Sequence, residues 1–152
     1  IKMCGILNAG SFTSIITEAE MALLTKSEYG SVNIGKQVLS KLILDEILKY
    51  SDIIYPCSRN GKQLKRGFFS GINDMLPSVD VQETDEGIKV VFYTIVKFGE
   101  SINDVANAVF DNIERDFAIL ALDKPTEIKA SIKGVMSDRL VKRDIELVRT
   151  NG

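Results

Sequence analysis

The stretch GIKVVFYTIVKFGESINDVANAVFDNIERDF, Gly87 to Phe117, decides how the chain is read. Its first half alternates. Ile88, Val90, Phe92, Val96 and Phe98 share one face of a strand, and Lys89, Val91, Tyr93, Ile95 and Lys97 share the other. Both faces are apolar in the middle and one is tipped by lysine at each end, which predicts a central strand whose second face is partly covered. Gly99 breaks the strand. Ser101 is a good helix N-cap, and Glu100 and Asp104 bring negative charge to the positive helix end. Ile102, Val105, Ala106, Val109, Phe110, Ile113 and Phe117 then form one apolar helical stripe. The acids of DVANAVFDNIERD read as the solvated outer side of that helix. No catalytic residue stands at the strand–helix junction, so its role reads as architectural.

Working outward, SVDVQETDEG supplies the other arm of a hairpin. Val79 and Val81 alternate with polar neighbours, and Gly87 is available for a positive φ at the turn. The acids Asp80, Glu83, Asp85 and Glu86 fit turn chemistry better than a cation site. Downstream, Asp123-Lys124-Pro125 turns the chain into TEIKASIKGVM. Thr126, Ile128, Ala130 and Ile132 share one face there, and Glu127, Lys129, Ser131 and Lys133 share a wet one. The tail SDRLVKRDIELVRTNG suits either a short helix or an extended arm covering a sheet edge.

Upstream, Ser31 to Gly35 suggests a short strand, and Val38, Leu39, Leu42, Ile43, Glu46 and Ile47, stepping at three to four residues with the apolar members on one face, predict a helix from about Lys36 to Tyr50. SDIIYPC reads as a short strand ending at Pro56. Residues 58–77 fit a weak helix or a long loop, with turn signals at Asn60-Gly61 and glycines at 67 and 71. SFTSIITEAEMALLTKSE has a short amphipathic pattern, and Met21 is a candidate start that would make residues 1–20 upstream sequence. The element order is β-α-(loop)-β-β-α-β. It predicts an α+β fold, with two helices on one face of a mostly antiparallel sheet of three to four strands. The organisation is an N-terminal extension over 1–28, one domain over 29–136 and a C-terminal tail over 137–152.

Composition removes much chemistry. The chain has 152 residues and no histidine, which excludes Ser-His-Asp and Cys-His catalysis and imidazole metal ligation. Cys4 and Cys57 are the only cysteines, too few for an ordinary structural zinc site. A disulfide between them is disfavoured in a reducing compartment. Cys57 reads as a semi-buried thiol, against the alternative of a thiolate favoured by Arg59 and Lys62. The net charge of −2 gives no global pull toward nucleic acid or anionic membrane. No apolar run is long enough to span a bilayer, and the N-terminus lacks a signal-peptide pattern. The expected location is cytoplasmic.

The combination of the hairpin, Phe98-Gly99-Glu100-Ser101-Ile102, Val105-Ala106 with Val109, and Gly134-Val135 resembles the alkaline shock protein family (YloU-like proteins). YGSVNIGKQVLSKLI resembles the family's opening strand and helix. The similarity covers roughly residues 29–136. Two departures stand out: the first helix lacks the usual run of small residues, and the middle segment is longer, more basic and more aromatic. The resemblance implies a bacterial protein linked to cell-envelope or alkaline stress, without catalytic residues or cofactor. Some members are held at the membrane by a separate anchor protein.

One candidate partner surface stands out. Arg59, Lys62, Lys65 and Arg66 place four positive charges within eight residues, and Phe68 and Phe69 follow. A solvated loop anchored by its phenylalanines is the plain reading. A contact surface for a protein, an anionic lipid surface or single-stranded nucleic acid is the functional one. The expected activity is non-enzymatic, through a protein partner or self-association. The alternative is a nucleic-acid-binding module using this loop. Against it, Tyr93 is the only ring on its face of the central strand, and no GxxG loop flanked by helices is present. No small-molecule substrate is expected.

Overall fold

The structure, a computed structural model, describes residues 35–68 and 71–151. The strand expected at Ser31–Gly35 and the amphipathic pattern before it lie almost wholly outside the described residues. The first element is helix α1 (Lys36–Leu48), entered through Gly35. Val38, Leu39, Leu42, Ile43 and Ile47 are buried as their spacing requires, and Leu44 joins them. Strand β1 (Ile54–Pro56) follows, then a 3₁₀ helix (Ile72–Ser78), β2 (Val79–Thr84), β3 (Gly87–Lys97), α2 (Ile102–Ile119), β4 (Glu127–Met136) and β5 (Leu140–Thr150).

The five strands form one mixed sheet centred on β3. β1 and β2 lie end to end along one edge of β3. β2 pairs with Gly87–Phe92 and β1 with Thr94–Val96, both antiparallel. β4 runs parallel to β3 on the other side, because α2 carries the chain back across the sheet between them. β5 is antiparallel to β4. The sheet thus has five strands rather than three or four. The tail takes the extended alternative, as an edge strand.

α1 and α2 cover one face. Beneath them lie Val90, Phe92, Thr94 and Val96 of β3 and Ile128, Ala130 and Ile132 of β4, all buried. Phe92 meets Phe110 of α2 edge to face, with ring centroids 6.0 Å apart. Such a pair adds to plain area burial. The strand-to-helix junction works as its residues dictate: Gly99 adopts φ +91°, and Ser101 Oγ accepts the Asp104 N–H at 3.3 Å. β5 is tied to α2 through Arg149. Its guanidinium donates to Asp111 at 2.7 Å and Glu114 at 2.8 Å, and lies 5.2 Å from the Phe110 ring centre.

Two expectations on these elements are corrected. Phe98 is 72% exposed rather than part of the buried face, because β3 ends at Lys97 and Gly99 turns the chain outward. The acids of α2 are not all solvated. Asp104 and Asp111 are exposed, Glu114 is half-buried, and Asp116 faces inward and is buried.

Candidate functional site

The basic segment is an ordered extension of β1. Cys57 N–H donates to Tyr93 C=O at 3.0 Å, continuing the pairing with β3. The chain then turns back on itself. Ser58 N–H donates to Lys62 C=O at 2.8 Å, Gly61 N–H to Ser58 C=O at 2.9 Å, and Leu64 N–H to Pro56 C=O at 2.9 Å. Ser58 Oγ accepts the Lys62 N–H at 3.1 Å, an added brace. Glycine is needed at 61, where φ is +89° and an added Cβ would stand 3.4 Å from Lys133 Cβ of β4. The turn therefore reaches across β3 onto β4, over the face that the helices leave open. Ile95 and Ser131, which the register places on that face, are buried.

Arg59 is carried to the rim of a shallow trough of about 340 Å³ on this face. Lys89, Lys129 and Lys133 line it from the strands, together with Asp80, Glu127 and Glu146. Four cations and three carboxylates give it mixed charge rather than the single sign of a nucleic-acid or phosphate groove. The charges are partly paired: Lys129 Nζ lies 3.7 Å from Glu146, and Lys133 Nζ 3.3 Å from Asp144. Lys133 also stands 5.9 Å from the Tyr93 ring centre.

Of the residues singled out in the sequence, Arg59, Lys62, Lys65 and Arg66 are all exposed, and Phe68 is 94% exposed. Only Arg59 joins the trough. Gly67 and Gly71 exchange backbone hydrogen bonds of 2.9 and 3.1 Å beside the exposed Phe68. Phe68 does not anchor the loop to the core, and Phe69 lies outside the described residues. Cys57 is fully buried, and burial pushes its thiol up to about 11 despite the charge of Lys133. Both its burial and the upward shift favour the buried-thiol reading over the activated thiolate. Among the described residues no group of three or more His, Cys, Asp or Glu is placed to hold a metal ion.

A second polar constellation escaped sequence reasoning. Glu46 of α1 and Asp116 of α2 meet between the helices, 1% and 5% exposed. Lys49 Nζ lies 2.8 Å from Glu46 Oε1, and the Arg115 guanidinium lies 4.0 Å from Oε2. The signal was present in the spacing. Glu46 sits among Leu42, Ile43 and Ile47, and Asp116 lies between Ile113 and Phe117, both on apolar faces.

No curated protein and no solved structure shows significant similarity to the chain. A family model described by a cell envelope-related function matches residues 24–137, from before α1 to the end of β4. The match spans both helices, the hairpin and the parallel crossover that define this fold, so the chain belongs to the alkaline shock protein 23 family.

Proposed function

We propose that the protein serves its family's cell envelope-related role without catalysis, by holding a protein partner against the helix-free face of the sheet. The observation that carries this reading is the ordered basic hairpin braced on β4 beside a mixed-charge trough, with Phe68 presented to solvent. Mixed charge around a shallow, partly apolar surface suits the rim of a protein–protein contact, where charge sets specificity more than affinity. Phe68 is the kind of aromatic anchor that supplies affinity at such surfaces. No helix of the described residues is long and apolar enough to cross a membrane. In this reading, association with the envelope runs through the partner, from a cytoplasmic location. Self-association uses the same logic, with a second copy as partner.

The test is a crosslinking pull-down from native cells, comparing the protein with a variant carrying Arg59→Ser, Lys62→Ser, Lys65→Ser and Arg66→Ser. The expected result is a defined protein partner that survives nuclease treatment and is lost from the variant. Capture of RNA, with nuclease emptying the sample and binding falling steeply with salt, would replace this reading with the nucleic-acid one.

A further inference from the structure

The contact between α1 and α2 contains a buried acid pair that the proposed partner surface does not use. Two carboxylates removed from water are costly unless each is paired or protonated. Lys49 is within hydrogen-bond distance of Glu46 Oε1 at 2.8 Å. Oε2 is different. It is buried and accepts no hydrogen bond from any N–H or hydroxyl of the described residues, and a guanidinium at 4.0 Å is too far to donate one. The acid that faces Glu46 from α2 is Asp116, itself buried. Two carboxylates are acceptors only and cannot bond each other, whereas a carboxylic acid donates strongly to a carboxylate. The orphaned oxygen is satisfied when Asp116 carries a proton.

We propose that Glu46 and Asp116 form a proton-dependent latch between α1 and α2: one shared proton closes it, and loss of that proton places two like charges in the helix contact and loosens α1. The physical causes act together on Asp116. Burial comes first, then the hydrogen bond to Glu46 and the negative charge of Glu46; these raise its carboxyl from 3.8 to about 8, against the pull of Lys49 and Arg115. Among the described residues the charged groups acting on it are Glu46 and Lys49 of α1 and Arg115 of α2, with none from the sheet. An unfolded aspartate releases its proton near pH 4, so between about pH 4 and about pH 8 the folded chain holds a proton that the unfolded chain has lost. Stability contributed by this group therefore falls as pH rises through that window and levels off above it. The latch itself opens near the upper end, where the native pair ionises.

Asp116→Asn is the decisive variant, because its amide donates to Glu46 as the acid does and cannot ionise. Thermal unfolding of the full chain is followed from about pH 5 to about pH 9. The variant's stability relative to the parent's should rise steadily from the acid end and level off above about pH 8. Amide exchange in α1, corrected for the intrinsic rate, should quicken across the same range in the parent and not in the variant. Glu46→Gln removes the like charge, so the Asp116 carboxyl carbon resonance should titrate at lower pH than in the parent. Parallel melting profiles at every pH, unchanged protection of α1, or an Asp116 that titrates like an exposed aspartate in the parent would each overturn the latch. The titration of the parent needs no variant and stands even if a substitution prevents folding.

Discussion

Residues one step apart on β3 and β4 end in opposite environments. Phe92 and Thr94 lie closed beneath the helices, while Tyr93 between them lines the open trough. Ala130 and Ile132 are buried under α2, while Lys129 and Lys133 face the charged side. The backbone is shared, so the difference in energy comes from the side chains. On the closed face, apolar area leaves water at about 25 cal/mol per Å², and the side chains interdigitate. On the open face, the charges pair across solvent, where such pairs give about 0–1 kcal/mol. One face holds the fold together. The exposed charges of the other can change at little cost to stability.

The comparison can be broken most forcefully at Phe92. Phe92→Ala should cost about 3–5 kcal/mol in urea unfolding, because it opens a cavity against Phe110 beneath α2. A loss below about 1 kcal/mol would mean that the closed face does not carry the stability. Arg149 sharpens the boundary. It lies on the helix side of an edge strand and is partly open to water, with its side chain 26% exposed. Arg149→Ala should cost about 1–2 kcal/mol through its charged hydrogen bonds to Asp111 and Glu114. The smallest effect belongs to the open face. Lys129→Ala removes only the 3.7 Å contact with Glu146 and should change unfolding by less than about 0.5 kcal/mol. A cost equal to that of Arg149→Ala would erase the distinction between the faces.

Much of the fold was legible because local rules and burial agreed. The period of β3, the cap at Ser101 and the stripe of α2 all pointed the same way, and the structure keeps them. The tail was not legible by itself. Val141, Ile145, Leu147 and Arg149 are only half-buried, so they leave a weak periodicity that a helix would share. What makes the tail a strand is the free edge of β4, a feature of the assembled sheet. Phe98 was misplaced because alternation says which side a residue takes but not where the strand stops.

The candidate site divides the same way. Sequence located the basic segment and the turn at Gly61. It did not show that the turn would rest on Lys133, or that Arg59 would meet Lys89 and Lys129. Asp116 was assigned to the solvated side of its own helix, and nothing along the chain paired it with Glu46.

By itself the sequence determined the two helices, the hairpin and β4, the buried side of β3, the absence of imidazole chemistry and the family resemblance. Each of these depends on residue type and short-range spacing, and both are written along the chain. Only the tertiary structure decided that the tail completes the sheet, that the basic hairpin lies over the open face, and that two acids from different helices share one buried site. Those outcomes depend on contacts between segments far apart in the chain. The environment of a side chain is set by what packs against it, and its own neighbours in sequence do not record that.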